Sequence, residues 1–369
     1  MHGGATSAPP PTPSNNLMCT SDAATADALS RLLHRLPPTL SSLPTRRSPP
    51  TTCPQSISFS DVQANPTLLS CASQLGLFQL TNHPIPSQLA NSAESEALSL
   101  FDLPAHQKQS SVPKSWPLGF EDDDEDNGDG LGESFCLDSL CSTESTELTL
   151  TSLREFTRAL EKVGMEVIEL LCSSLGFQNP LGKDDPTRFS TMMWISEGLP
   201  DKKSQTAGRF YPYVVGLQYQ IRSNQKYSLL ADSGWLSVLP QVDSIMVTIG
   251  DIAQVWSNGK LKKVRGRPVA CLGNDSKPSG RCISMSLLVT LPMDSTLSPL
   301  LQIAAIDGND RDDDNDDEGD QIDSRCGGGE REAGRLFKSF CLEDYAWRVY
   351  HERLFFKDPL DRYRIKKQF

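Results

Sequence analysis

The chain has 369 residues, enough for one large domain or two small ones, and carries a formal net charge of −12 with a pI near 5.0. Such acidity disfavours nucleic acid as a partner, and no apolar run approaches the roughly 20 residues that span a bilayer, so we expect neither nucleic-acid nor membrane binding. Ten cysteines without a Cys-x-x-Cys pair are typical of a reduced chain, and we expect a cytoplasmic location.

The first 54 residues are rich in Ser, Thr and Pro and poor in acidic residues, which predicts a disordered tail. An organelle transit peptide is the alternative, because Ala23–Leu36 would form a short helix bearing Arg31, His34 and Arg35. The second reading would place the protein in a plastid.

Residues 55–115 alternate short strands with helices. The strands are expected at Ile57–Phe59 and Leu77–Leu80, and the helices at Asn65–Leu75 and Leu89–Phe101. An acidic, glycine-containing loop follows at residues 116–146. A packing helix is predicted within residues 147–180, with Ser152 and Glu155 as its capping box and Gly176 at its end.

Residues 181–300 read as an antiparallel β-sandwich or barrel. Ser244–Ile249 and Ile252–Trp256 are predicted strands, and Ser257-Asn258-Gly259 is predicted to be a hairpin turn. A basic return strand, Lys260–Val269, is expected to be a solvated sheet edge. The remaining strand candidates are Arg188–Ile195, Arg209–Val215, Leu217–Arg222, Tyr227–Ala231, Trp235–Leu239 and Cys282–Leu291.

Two C-terminal segments are candidates for recruiting a protein partner. Residues 301–334 form an acidic, glycine-rich insert whose charge runs from Asp307 to Asp323, and disorder is expected there. Within residues 335–369, an amphipathic helix is predicted over Leu336–Phe356. Its aromatic content indicates either packing on the domain or a surface for a partner.

Two stretches resemble the plant 2-oxoglutarate/iron(II)-dependent dioxygenases, an isopenicillin N synthase-like group that includes gibberellin and flavonoid oxidases. The N-terminal match comprises Gly76–Leu80, Asn82-His83 and Phe101–Pro104. The C-terminal match follows the family pattern GDxxQxWSNGxxKSVxHRV, through Gly250-Asp251, Gln254, Trp256–Gly259, Lys262, Val264 and Arg267. The resemblance implies a mixed, mostly β fold: a double-stranded β-helix, or jelly roll, with flanking helices and an N-terminal helix-and-strand domain.

The catalytic motifs of that family are missing from this chain. Members hold iron with a His-x-Asp pair and a distal His, which suit Fe(II). Aligning the family's HxDPxxLTLLRSN segment puts Pro212 and Val214 at the first two ligand positions, and Gly266 stands at the third. A register shifted by one residue offers Tyr211 and Tyr213. No histidine lies between Gln107 and Tyr350.

The co-substrate motif is also altered. The family binds 2-oxoglutarate partly through Arg-x-Ser, whereas this chain has Arg281 and Ser284 one residue further apart. A one-residue slip in a strand turns a side chain to the opposite face, so Arg281 is as readily a structural residue as a 2-oxoglutarate contact. Trp194, Tyr211, Tyr213 and Trp256 are the candidates for lining a pocket, with plain packing as the alternative role.

The sequence thus predicts a dioxygenase-like protein that has lost its metal site. It would need no cofactor and would act by binding a small hydrophobic metabolite or a protein partner. The alternative is an active oxygenase of a gibberellin- or flavonoid-like metabolite, using Fe(II), 2-oxoglutarate and unconventional ligands. A third hypothesis gives the function to the acidic insert and the C-terminal helix.

Overall fold

Strands of alternating or continuous apolar character build two facing sheets. The larger sheet has the order β2-β3-β11-β8-β13-β6-β5-β4, and the smaller one β1-β10-β9-β12-β7. The strands are β1 (Thr51–Thr52), β2 (Ser56–Ser58), β3 (Leu77–Thr81), β4 (Gly119–Glu121), β5 (Ser134–Asp138), β6 (Ser190–Glu197), β7 (Leu199–Pro200), β8 (Val215–Tyr219), β9 (Gln225–Ala231), β10 (Gly234–Val238), β11 (Ile245–Ile249), β12 (Val264–Leu272) and β13 (Ile283–Thr290). A further pair, β14 (Thr296–Leu297) and β15 (Phe340–Cys341), lies outside them. The predicted jelly roll with flanking helices is confirmed.

The computed structural model describes residues 51–64, 67–122, 132–145, 148–182, 186–197, 199–200, 211–223, 225–272, 283–301, 335–351 and 357–365. The chain divides into units 1–48 and 49–369, and every described residue belongs to the second. The predicted N-terminal tail up to residue 50, most of the acidic loop, the acidic insert from residue 302 and Arg281 lie outside the described residues.

Helices flank the larger sheet. They are α1 (Thr67–Gln74), α2 (Ser87–Phe101), α3 (Ala105–Ser111), α4 (Thr151–Leu175), α5 (Asp251–Trp256) and α6 (Leu342–His351). Helix α4 lies close against the sheet at Gly164, where an added Cβ would sit 3.0 Å from Leu217 Cδ1 and 3.1 Å from Val289 Cγ2. Gly176 ends α4 with a left-handed φ of 83°, as predicted. None of the described helices is both long and apolar enough to cross a membrane.

The N-terminal segment is built into the larger sheet. Strand β2 pairs in parallel with β3, and β3 pairs antiparallel with β11. His83 secures the turn after β3: its Nε2 lies 3.0 Å from the Asp243 carbonyl, and its Nδ1 accepts from the Ile85 amide. Burial lowers the pKa of His83, in keeping with a neutral imidazole that bridges two backbone groups.

The segment after Gly250 differs from its prediction. Residues Ile252–Trp256 belong to helix α5 and not to a strand, because a short apolar run does not distinguish the two by periodicity. Asn258 and Gly259, with φ values of 51° and 82°, follow directly after helix α5 and not after a strand, so this Asn-Gly pair ends a helix and does not form a hairpin turn. Strand β12 begins only at Val264 and lies between β9 and β7, so it is not an edge strand.

Two other predicted elements have different boundaries in the structure. The predicted strand Arg209–Val215 is not observed over its described residues: Tyr211–Val214 precede β8, and only Val215 lies in it. The predicted C-terminal helix starts at Leu342, because Phe337 forms a bridge with Arg364 and Phe340 is in β15. Helix α6 packs on the domain but leaves Trp347 52% exposed.

The predicted capping box of α4 is wrong, because another helix caps it. The carboxylate of Glu96 in α2 accepts the amides of Ser152 and Leu153 at 3.0 and 2.9 Å. These amides are among the first of the helix and have no partner within it. A carboxylate at a helix N-terminus also interacts favourably with the helix dipole. Glu96 therefore couples the N-terminal region to the main packing helix.

We expect Glu96→Gln to lower the free energy of unfolding by about 1 kcal/mol, the usual value of an N-terminal cap. Ser152→Ala is the matched control and should have no measurable effect, since only the backbone amide of Ser152 bonds to Glu96. Urea denaturation of the three proteins measures both effects. A larger loss of unfolding free energy in Ser152→Ala than in Glu96→Gln would indicate that the Ser152 side chain caps the helix.

Candidate functional site

The two faces of the larger sheet have different neighbours. Leu217 of β8 faces α4, so its neighbours Gly216 and Gln218 face the smaller sheet. Gly216 pairs with Thr248 of β11 and Leu288 of β13. The interior between the sheets, where the resemblance places the chemistry of the family, is therefore lined by the even-numbered residues of β8.

Tyr213 joins the two sheets across this interior. It is fully buried, and its hydroxyl lies 3.0 Å from the Val264 carbonyl and 3.3 Å from the Gly266 carbonyl of β12. The Thr248 hydroxyl on the opposite sheet is also 3.3 Å away. Burial raises the pKa of Tyr213 well above its usual value, so the phenol is neutral and donates to one of these oxygens.

Two glycines make room for the ring of Tyr213. A Cβ added at Gly250 would lie 2.0 Å from the Tyr213 carbonyl oxygen and 2.5 Å from its Cδ2 atom. A Cβ at Gly216 would lie 3.3 Å from Tyr213 Cε2 and 2.7 Å from the Thr248 hydroxyl. Real Cβ atoms do not approach backbone as closely as the first of these distances, so residue 250 has to be glycine, whereas Gly216 brings the Thr248 hydroxyl and the edge of the ring close to β8.

Gly266 occupies a bulge in β12. Arg265 pairs with Leu230 of β9, whereas Val269 pairs with Ser228, so three residues of β12 stand opposite Leu229 alone. The φ of Gly266 is 76°, in the region that favours glycine. The position that the resemblance assigns to the distal histidine is thus a glycine with a left-handed backbone.

The three positions that the alignment assigned to iron ligands do not form one set of side chains. Val214 faces α4: it lines a small apolar cavity of about 10 Å³ together with Ile168 and Trp256. Pro212 contributes its carbonyl, which accepts from the Thr290 hydroxyl at 2.8 Å. Between them, the hydroxyl of Tyr213 lies 3.3 Å from the carbonyl oxygen of Gly266. The geometry favours the register in which Tyr211 and Tyr213 face the interior.

Tyr211 and Trp194 extend the aromatic filling away from Gly266. Both belong to one buried cluster with Tyr213, and their neighbours are Cys136, Met192, Leu288, Ala346 and Tyr350. The Tyr211 hydroxyl contacts Met293 Sδ at 2.7 Å, and its ring centroid lies 6.1 Å from that of Trp116. Three of the four pocket-lining candidates therefore pack together. Trp256 lies apart, in the core against α4 and beside an open surface groove of about 430 Å³.

A buried ion-pair network lies at the predicted basic strand Lys260–Val269. Lys263 has no exposed surface, and its Nζ lies 2.6 Å from Oδ1 of both Asp251 and Asp358. The prediction of a solvated basic edge is wrong at this residue, although Lys262 is exposed. Lys263 links α5, β12 and the C-terminal turn Pro359–Tyr363, which Asp358 caps.

Ser284 lies on the interior face, but not beside a described arginine. It is 3% exposed, and its hydroxyl lies 2.9 Å from that of Ser196, its partner across β13 and β6. Arg281 lies outside the described residues. A two-residue hydroxyl pair can bind a polar neutral group or water, but it carries no charge for a carboxylate.

Comparison with known proteins identifies relatives of this chain. The family described as "non-haem dioxygenase in morphine synthesis N-terminal" matches residues 61–149. A gibberellin 2-beta-dioxygenase 2 of Arabidopsis thaliana is 24% identical over 298 residues, which cover 71% of this chain and 82% of the relative. The fold and the sequence relatives of this chain are those of the 2-oxoglutarate/iron(II) dioxygenase superfamily.

Solved structures of this superfamily share the fold at low identity. JOX2, solved with 2OG, Fe and JA, has a TM-score of 0.62 at 15% identity and covers 91% of this chain and 97% of its own. The dioxygenase for auxin oxidation in rice has a TM-score of 0.57 at 17% identity, covering 84% of this chain and 99% of its own. At these identities the likeness concerns architecture.

The described side chains around Gly266 do not fit the iron site of that superfamily. They offer a phenol whose hydroxyl is committed to backbone carbonyls, together with aliphatic groups, whereas Fe(II) of this class takes imidazole and carboxylate. Within the described ranges, no three His, Cys, Asp or Glu side chains are grouped so as to hold a metal ion.

Two features of this site escaped the sequence reasoning. Aligning the family's HxDPxxLTLLRSN segment put Pro212 and Val214 at the ligand positions and so missed the inward position of Tyr213. Gly216 and Gly250, which lie close to it in the structure, were the signal of close packing. Lys263 was grouped with four other basic residues, and nothing in its local pattern distinguishes a buried lysine from an exposed one. Its partner Asp358 lies 95 residues further along the chain.

We expect Tyr213→Phe to lower the free energy of unfolding by about 1–2 kcal/mol, because buried carbonyls of β12 lose their donor. Tyr211→Phe is the matched control. Its hydroxyl meets only a thioether, a weak acceptor, so its loss should be smaller. Urea denaturation compares the two, and equal losses would contradict the bridging role of Tyr213.

Lys263→Met should lower the free energy of unfolding by about 3 kcal/mol at neutral pH, because buried Asp251 loses its counter-charge and Asp358 loses the nearest of its cations. The adjacent exposed residue supplies the control: Lys262→Met should leave stability nearly unchanged. Thermal or urea unfolding measures the difference, and a tolerant Lys263→Met protein would show that the network is dispensable.

The network should also weaken in acid. Burial alone would raise the pKa of Asp358, but the charge and hydrogen bond of Lys263 outweigh it and the pKa is lowered from 3.8. Its contribution is therefore complete above the unfolded value and is lost as pH falls through the lower folded value. We expect Asp358→Asn to destabilise the protein at pH 7 and to matter progressively less below about pH 4. A constant difference down to pH 2 would contradict this assignment.

Proposed function

We propose that this chain is a non-catalytic member of the 2-oxoglutarate/iron(II) dioxygenase superfamily, which uses the inherited fold to bind a small molecule or a protein partner. The observation that carries the proposal is the position of Tyr213, whose ring and hydroxyl occupy the interior beside Gly266. An imidazole or carboxylate would be needed there for iron chemistry of the family's kind.

Further support comes from the packing around the phenol. The ring of Tyr213 lies against Gly250, where an added Cβ would be 2.5 Å from Cδ2, and Gly266 has a left-handed backbone within a bulge. Here phenol, glycine and bulge form one packed arrangement, which favours a stable replacement of the metal site.

The relatives suggest where a ligand would be sought. The Arabidopsis relative is a gibberellin 2-beta-dioxygenase, and the rice structure is a dioxygenase for auxin oxidation. Plant metabolites of this size are therefore reasonable ligands for an inactive descendant. A protein partner on α6, where Trp347 is exposed, remains a further proposal, as do the cytoplasmic location and the role of the acidic insert.

The decisive experiment measures iron binding and turnover together. Purified full-length protein is loaded anaerobically with Fe(II), dialysed, and assayed for bound iron and for 2-oxoglutarate decarboxylation after oxygen is admitted. We expect substoichiometric iron and no decarboxylation above the protein-free rate. A gibberellin 2-beta-dioxygenase treated in parallel verifies the loading and the assay.

Stoichiometric iron with turnover would overturn the proposal and favour an active oxygenase with unconventional ligands. In that event, Tyr213→Phe would show whether the phenol takes part, because loss of its hydroxyl leaves the ring packing intact. Iron bound without turnover would leave the non-catalytic role standing but would contradict the loss of the metal site.

A further inference from the structure

A row of polar side chains crosses the interior face of the larger sheet next to the aromatic cluster. Cross-strand pairing places Gln218 of β8 beside Ser286 of β13, and Ser286 beside Trp194 of β6. The next row contains Ser284 and Ser196. All five side chains are at most 4% exposed, and none of them carries a formal charge.

Gln218 has no hydrogen-bond partner for its side chain. Its carboxamide oxygen and nitrogen are both buried, and neither contacts a donor or an acceptor. A carboxamide can donate two hydrogen bonds and accept two. Leaving such a group unpaired in a protein interior is unfavourable, and an apolar residue of the same size would be more stable there.

Gln79 shows what a satisfied glutamine looks like in the same row. It lies on β3, next to Met246, which in turn pairs with Gln218. Its Oε1 accepts from the Gln241 amide at 2.8 Å and from the Ser244 hydroxyl at 3.2 Å. Both glutamines are buried on the same face, so burial on this face does not by itself leave a glutamine without partners.

We propose that Gln218 is the recognition residue of an internal site for an uncharged aromatic amide or lactam. Adjacent donor and acceptor atoms of such a group match the two faces of a carboxamide, and the Trp194 and Tyr211 rings lie in the neighbouring cluster. The Ser196–Ser284 hydroxyl pair lies one row away for a second polar contact.

The same rows disfavour a dianion such as 2-oxoglutarate. Burying a carboxylate without a paired charge is far more costly than burying a neutral amide. The described side chains of β6, β8 and β13 that face the interior supply amide, hydroxyl and indole groups. The site would therefore have exchanged the co-substrate of the superfamily for a neutral ligand, which rests on the proposed loss of catalysis.

Three glutamine variants and three small molecules test this inference. Nicotinamide and benzamide serve as neutral aromatic amides, with nicotinate as the charged analogue of the first. Binding to full-length protein is followed by calorimetric titration and by the shift in Tm. We expect saturable one-to-one binding of at least one amide, and nicotinate at least tenfold weaker.

Gln218→Met should weaken amide binding at least tenfold, while its Tm without ligand stays equal or rises, because no hydrogen bond is lost. Gln79→Met is the matched control, expected to lower Tm by about 2–4 °C while keeping its affinity for the amide. Gln218→Asn provides a second variant that retains the carboxamide on a shorter side chain and should bind weakly.

Three results would overturn the inference. The first is that neither amide saturates the protein up to about 10 mM, well above the millimolar Kd expected of so small a ligand. The second is that Gln218→Met binds the amide as well as the unaltered protein does. The third is that the Tm of Gln218→Met without ligand falls as far as that of Gln79→Met, which would mean that enclosed water already satisfies the amide. Failure here leaves the decarboxylation result untouched, so the two proposals fail separately.

Discussion

The hydroxyl of Tyr213 lies between two sheets, and the arrangement of the interior follows from that position. A tyrosine placed there needs an acceptor for the hydrogen bond of its hydroxyl. The carbonyl oxygens of Val264 and Gly266 in β12 provide it. It also needs space for its ring, which Gly216 and Gly250 supply. A buried phenol with a partner stabilises the pairing of the sheets, whereas the same phenol without one would oppose it.

The architecture could be predicted because the family-like fragments Gly76–Leu80 and Gly250–Gly259 are local, and helix α4 has an apolar face at regular spacing. Helix α5 was missed for a local reason, since a short apolar run fits a strand as well as a helix. Two other failures involved distant partners. Glu96 caps a helix that begins 55 residues later, and Asp358 neutralises a lysine 95 residues earlier. In each contact the two partners are too far apart along the chain for a local sequence pattern to indicate it.

The candidate site was only half predictable for a related reason. The resemblance pointed to Gly266 in place of a histidine, and of the four aromatic candidates Trp194, Tyr211 and Tyr213 pack together whereas Trp256 does not. The register between Pro212 and Val214 could not be settled by aligning the later Arg222-Ser223 turn, because an alignment that matches a turn does not determine which side chains face inward before it. The hydrogen bonds of Tyr213 to β12, together with the packing of Val214 beside α4, favour the register with Tyr213 inward.

Lys263 gives the C-terminal part of the chain a specific role in stability. Its ammonium group has no access to water, so it depends on Asp358 from the turn that follows residue 357. Arg265 and Arg364 approach the other oxygen of the same carboxylate at 3.8 and 3.9 Å. One carboxylate therefore gathers three cations from β12 and the C-terminal turn, and the strand that carries the bulge is anchored on both sides.

The bulge at Gly266 bears on any attempt to engineer iron chemistry back into this scaffold. A histidine at that position would have to adopt a φ near 76°, which costs a non-glycine residue of order 1 kcal/mol or more. Residue 250 would have to remain glycine whichever side chain stood at position 213, because an added Cβ would lie 2.0 Å from the carbonyl oxygen of that residue. New ligand side chains would therefore have to fit two glycine positions whose backbone is already determined.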